Sequence, residues 1–284
     1  MGFFRFIGSF LTTVGNHVKA VLLIVFIIWL FTPNEGTISE PYNLAVVSLS
    51  GEINDGREVL KELKDIYDDY SIKGVLFEID SPGGAMTTSV EIAEMVKLVK
   101  SRKPVVSYAS GSLASGSLYS ALWSSKIIVN KASLVGSIGV IFDGINYREL
   151  ADKIGIEPQV SKAGKFKEAG TGAREWLPFE RAEIDRLTKE SYKMFVSDVA
   201  EARNLDLNRS EEWAEARLFL GVEAVEIGLA DEVGTRISAE DDLIALSGVH
   251  APVFQKEDEF EAFVKSISSK FLGEFLYQFD YKLR

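Results

Sequence analysis

Three short runs of small residues hold the serines and glycines most able to do chemistry in this chain. The first is Asp80-Ser81-Pro82-Gly83-Gly84. Adjacent glycines directly after an apolar run let backbone N–H groups face a ligand with no Cβ in the way. Such donors suit an oxyanion hole, although a plain tight turn would use the same residues. The second run is Ala109-Ser110-Gly111-Ser112-Leu113-Ala114-Ser115-Gly116-Ser117-Leu118-Tyr119. A serine on a sharp strand-to-helix turn exposes its hydroxyl as a nucleophile. Ser115, between Ala114 and Gly116, has good steric access, with Ser110, Ser112 and Ser117 as rivals; helix capping is the commoner role for a serine in such a place. The third run, Val135-Gly136-Ser137-Ile138-Gly139-Val140, reads by itself as close backbone packing.

A nucleophilic serine needs a base, and the composition limits the choice. Cysteine is absent, which excludes thiol nucleophiles, disulfides, Cys-ligated zinc and iron–sulfur clusters. The only histidines are His17, beside an apolar N-terminal run, and His250, in a charged C-terminal stretch. Neither suits the middle position of a Ser-His-Asp triad. A lysine desolvated enough to be neutral is the alternative. Lys162, Lys165 and Lys167 lie close together in Lys162-Ala163-Gly164-Lys165-Phe166-Lys167-Glu168, and spacing alone does not choose among them.

The elements that must position these groups alternate. Short β-branched runs at 44–49, 74–79 and 104–109 read as strands, and amphipathic patterns at 57–70 and 88–99 as helices, with a further helix at 115–124. This order implies βα units and a largely parallel, buried sheet, so the fold class is α/β. A long helix is expected over 178–203, with Pro178 in its first turn, and shorter ones at 211–215 and 222–227. Residues 260–275 read as an amphipathic helix with no legible chemistry.

Residues 20–32 are uncharged and apolar, and extension back through Lys19 gives a stretch long enough to span a membrane if Lys19 snorkels. With 31 basic and 42 acidic residues the chain carries −11, which disfavours nonspecific nucleic-acid binding. Only Arg5 and Lys19 are charged before Glu35, so everything from Glu35 onward carries −13. The positive-inside rule then puts the N-terminus in the cytoplasm and the bulk of the protein outside. The expected organisation is an interfacial segment at 1–15, a transmembrane anchor at 16–33, a linker at 34–43, a catalytic domain at 44–247 and a C-terminal helical tail at 248–284.

Five motifs in order, EIDSPGG (78–84), ASGSLASGSLY (109–119), VGSIGV (135–140), GKFKEAG (164–170) and RLFLGVEAVEIGLADEVG (217–234), together make the chain resemble the SppA-type signal peptide peptidases. These are membrane-anchored serine peptidases with a ClpP/crotonase-like fold, a spiral of ββα units. The resemblance implies Ser115 as nucleophile, Lys167 as general base and Ser137 as the residue that orients the lysine amine. It implies an oxyanion hole from the amides of Gly83, Gly84 and Gly116, no metal or cofactor, and a homo-oligomeric ring whose active sites are shared between subunits. The implied substrates are residual signal peptides or other apolar, membrane-derived peptides, cleaved on the outer face of the inner membrane. Two positions depart from the family pattern: Ser117 replaces a second glycine after the nucleophile and puts a side chain near the expected acyl site, and Ala85 ends the glycine run. Two other readings compete. A crotonase-like acyl-CoA enzyme would leave the Ser115 and Lys167 pair unexplained, and a non-catalytic membrane scaffold would show no turnover.

Overall fold

In the first two long strands successive residues are buried on opposite faces, so the sheet needs cover on both sides. The computed structural model describes residues 41–255, of which Tyr42–Gln255 form one compact unit. Strands β1 (Leu44–Ser50), β2 (Gly74–Ser81) and β3 (Val105–Ala114) are parallel neighbours, and β4 (Lys126–Val129) and β7 (Glu232–Val233) extend the sheet in the order β1-β2-β3-β4-β7. Two short strands leave this path. Strand β5 (Leu134–Gly136) pairs parallel with the end of β3, and β6 (Leu218–Leu220) pairs antiparallel with β5. The α/β class and parallel sheet expected from the sequence are present.

Ala45, Val47, Val75, Phe77, Val105 and Ile127 point to one face. There they meet Val59, Leu63 and Ile66 of α1 (Arg57–Asp68), Ile92, Val96 and Val99 of α2 (Met86–Lys100), Leu118 of α3 (Gly116–Ala121), and Phe195 and Val199 of α5 (Pro178–Arg203). Leu44, Leu76, Val106 and Ile128 point to the other face, covered by Ala239 and Leu243 of α8 (Arg236–Ser247). Apolar side chains on both faces explain why the strands read as continuous apolar runs and not as alternating ones. A short helix α4 (Arg148–Lys153), a 3-10 turn at Leu207–Arg209, one turn at α6 (Ser210–Trp213) and α7 (Gly221–Glu226) complete the elements among the described residues.

Helix α5 occupies the expected span, starting at Pro178 and ending where Asn204 turns left-handed (φ 53°). Helix α8 has no counterpart in the sequence reading, because its charged stretch buries little beyond Ala239 and Leu243. The compact unit also runs past the expected boundary at 247. Leu44 N–H donates to Val253 O and Gln255 N–H to Leu44 O, so residues 253–255 add a short bridge beside β1, with Phe254 against the α8 face. The expected anchor at 16–33 and the tail beyond 255 lie outside the described residues; among the described residues no helix is long and apolar enough to cross a membrane.

Candidate active site

The site is built where β2 and β3 lose register. Ile79 pairs with Ala109, but Ser81 pairs with Leu113, so Ser110, Gly111 and Ser112 stand opposite Asp80 alone. The Asp80 carboxylate fills this bulge, accepting the Ser112 N–H at 2.8 Å, and a Cβ at Gly111 would collide with it. A bulge re-aims the strand that carries it. Here it lets one strand serve two partners: residues 106–109 of β3 pair with β4, and residues 112–114 pair with β5.

Directly after β3 the backbone of Ser115 takes φ 53° and ψ −122°, a conformation that L-residues rarely hold unless the surroundings impose it. The imposing contacts are Ser115 N–H to Gly136 O at 2.8 Å and Tyr119 N–H to Ser115 O at 3.0 Å. Tyr119 is itself fixed: its ring stands edge-on to Phe195 of α5 at 5.1 Å, and its hydroxyl donates to Asp198. Burial, with that carboxylate as acceptor, pushes the phenol pKa up, so Tyr119 stays a donor. Ser115 is half-buried, and its Oγ has no hydrogen-bond partner among the described residues.

The rival serines differ. Ser117 Oγ is buried, donating to Ser81 O at 2.7 Å and Ala114 O at 2.9 Å and accepting from Ala114 N–H at 2.8 Å. The Ser117 side chain, expected near the acyl site, has its hydroxyl turned into the loop, where it braces the turn beside Ser115. Ser112 is held through its amide, and Ser110 is exposed.

The glycine turn passes against this serine. Gly83 has φ 97°, and a Cβ there would lie 2.6 Å from Gly116 N and 2.8 Å from Ser115 Cβ. Gly83 N–H donates to Ser81 Oγ at 3.2 Å. The carbonyl of Gly83 and the amide of Ala85 bond to Ile53, which anchors the turn from its far side. The amides of Gly84 and Gly116 have no acceptor among the described residues, and Gly84 N would lie 3.3 Å from a Cβ at Gly116. Two free N–H donors thus flank the Ser115 turn, the arrangement a developing oxyanion requires.

Ser137 follows Gly136, whose carbonyl holds Ser115, and so lies beside the serine turn. It too has a positive φ, 51°, with its N–H donating to Arg217 O at 2.6 Å. Lys167 is different. It is exposed, its amine has no partner among the described residues, and no hydrogen bond joins it to Ser115 or Ser137 within the chain. The segment that carries it is nevertheless held. Phe166 stacks edge-on against Phe179 at 5.6 Å, and Glu168 accepts from Lys162 at 2.5 Å and from Arg174 at 2.8 Å. Arg174 also forks onto both oxygens of Glu180, each at 2.8 Å, and Glu180 accepts the Leu177 N–H at 2.9 Å.

Glu180 is fully buried beneath this fork. The Arg174 guanidinium, and secondarily the Leu177 amide, hold its carboxyl at about 2, below the ordinary 4.5. A depressed carboxylate stabilises the fold above its ordinary pKa, and that contribution fades as pH falls toward the depressed value. Melting temperatures of the parent and Glu180→Gln are therefore expected to differ most above pH 4.5 and to converge toward pH 2. A constant difference across that window would show that the charge on Glu180 is not what stabilises. Asp80 lay in a marked run without a role of its own, and neither Arg174 nor Glu180 stood out in the sequence. The legible signal for Glu180 was its place three residues after Leu177, with Pro178 opening the helix between them, the spacing of a side chain that caps its own helix start.

Residues 97–250 match the model of peptidase family S49. The chain belongs to peptidase family S49. A Synechocystis sp. relative named as a protease is 36% identical over 208 residues, covering 72% of this chain and 75% of that protein. An Enterococcus faecium relative named as an SppA signal peptide peptidase is 36% identical over 206 residues, covering 70% of this chain and 60% of its own. A Methanocaldococcus jannaschii relative named as a protease is 37% identical over 198 residues, 70% of this chain and 64% of that protein. This S49 chain thus spans less than two thirds of the length of the last two. The ClpP1 structure of a Listeria monocytogenes mutant aligns with 68% of the chain at 15% identity and a TM-score of 0.46.

Proposed function

We propose that this S49 peptidase is a serine endopeptidase in which Ser115 is the nucleophile and Lys167 the general base. The observation that carries this reading is the Ser115 turn: a positive-φ serine with an unengaged hydroxyl, set against the unengaged amides of Gly84 and Gly116. In the acylation step Lys167 Nζ takes the Ser115 Oγ proton while Oγ bonds to the peptide carbonyl carbon. The Gly84 and Gly116 amides receive the oxyanion, and Gly83 shapes the turn that aims them. As the C–N bond breaks, the ammonium returns its proton to the leaving amine. A water activated by the same lysine then releases the acyl group, and Ser137 orients the amine throughout.

Lys167 reaches a serine of another subunit in this proposal, in a homo-oligomer with shared sites. Two features support it: the exposed, unpartnered lysine, and the apolar surface of the segment leading to it, where Ile141 and Ile145 are each 84% exposed and Leu150, Ile154 and Ile156 are more than half exposed. The substrates proposed are apolar peptides, among them residual signal peptides, in line with the name of the Enterococcus faecium relative. The apolar run at 20–32 and the charge split around Glu35 support a catalytic domain on the outer face of the membrane. The test is covalent: a fluorophosphonate probe is expected to label the full-length protein at Ser115 while apolar fluorogenic peptides are cleaved. Labelling at Ser110 or Ser112, or no cleavage by a correctly assembled protein, would overturn the assignment.

A further inference from the structure

The Lys167 amine has no hydrogen-bond partner among the described residues, yet both of its neighbours in sequence are fastened to one place. Phe166 packs on Phe179, and Glu168 is joined through Arg174 to Glu180, so the first turn of α5 (Pro178, Phe179, Glu180) holds the segment on either side of the lysine. The fastening is strong where it is deepest. Glu180 is fully buried, and the Arg174 fork meets it with two parallel charge-assisted bonds, a geometry that fixes orientation as well as distance. The same guanidinium continues to Glu168, whose second partner, Lys162, lies at the start of the segment. Trp176 closes the loop from within, its indole N–H donating to Thr171 O at 2.9 Å. None of the hydrogen bonds or ring contacts of this network involves Ser115 or the two free amides; those next to Lys167 in sequence are its nearest link to the proposed reaction.

We infer that Arg174 is a positioning residue: by clamping Glu168 to the buried Glu180 it presents the Lys167 amine at the height and angle needed to reach a serine outside its own segment. The inference rests on the Ser115/Lys167 reading. A lysine on a long, flexible stem loses catalytic power when its backbone drifts, because a displacement of about 1 Å costs on the order of a hundredfold in rate. Substrate binding is not routed through the clamp and should be spared.

The test uses the full-length, assembled protein and a fluorogenic apolar peptide. Arg174→Ala is expected to lower kcat by about ten- to a hundredfold with KM within about threefold, and to slow fluorophosphonate labelling of Ser115 by a similar factor. Arg174→Lys, which keeps the charge but not the fork, is expected to recover part of the loss. Should Arg174→Ala fail to assemble, Glu168→Gln takes its place, since it removes the charge next to Lys167 and leaves Glu180 paired. An unchanged kcat in the variant that assembles, or a rise in KM with kcat intact, overturns the inference. Lys167→Ala, run in parallel, separates the two ideas: if it is inactive while Arg174→Ala is normal, only the clamp is wrong, and if it is active the Ser/Lys assignment itself fails.

Discussion

Ser115→Ala and Lys167→Ala are each expected to lower peptide cleavage by about 10⁴-fold or more, and a co-assembled mixture of the two is expected to recover activity. The single losses follow from roles that work as a unit: without the hydroxyl there is no acyl-enzyme, and without the amine the hydroxyl keeps its proton. The recovery follows from where the structure leaves the lysine. Lys167 is exposed and bonded neither to Ser115 nor to Ser137 within its own chain. If a site takes its serine from one subunit and its lysine from the next, a Lys167→Ala subunit beside a Ser115→Ala subunit contains one intact pair. If the pair forms within one chain, no intact pair exists in any mixture. Mixed oligomers with no more activity than either parent would place the site inside the chain and require the 139–177 segment to fold back onto Ser115. Size measurements on the mixture exclude loss of assembly as the cause.

The parts of the site that were legible in the sequence are those set by short-range rules. Adjacent glycines after a strand, and a serine between two small residues at a strand end, mark a turn where the backbone takes rare angles; Gly83, Gly84 and Ser115 all do. Helix α5 was legible because its apolar residues recur over many turns and Pro178 marks its start. What could not be read depends on register and side-chain direction. The bulge at Ser110-Gly111-Ser112 is a matter of how β3 pairs with β2, β4 and β5, which no local pattern encodes. Ser117 was placed near the acyl site by its position in the chain, but that its hydroxyl bonds to Ser81 O depends on the turn at Ser115. Arg174 lies in none of the runs that carry legible chemistry, and nothing in the sequence marks its partner Glu180 as fully buried.

Gly83→Ala is the second substitution with a large expected effect, because one methyl group strikes the fold and the chemistry together. At φ 97° an alanine is strained, and its Cβ would lie 2.6 Å from Gly116 N, 2.7 Å from Ala114 O and 2.8 Å from Ser115 Cβ. The first two of these are backbone atoms, which no rotamer change can move aside. Backbone strain and overpacking of this kind cost about 1–3 kcal/mol each, so a loss of roughly 2–6 kcal/mol in denaturant unfolding is expected. The only relief is separation of the glycine turn from the serine turn, which moves the Gly84 amide away from that of Gly116. Loss of one oxyanion donor costs about 10²–10³ in kcat, and that is the expected loss in whatever fraction of Gly83→Ala stays folded. Gly248→Ala is the matched comparison: it has φ +66° at the end of α8 but nothing within 4 Å of its added Cβ. It is expected to lose about 1 kcal/mol from the backbone angle alone and to keep its activity. If Gly83→Ala proved no worse than Gly248→Ala in both stability and kcat, the two turns would not be in the close apposition from which the oxyanion hole is argued.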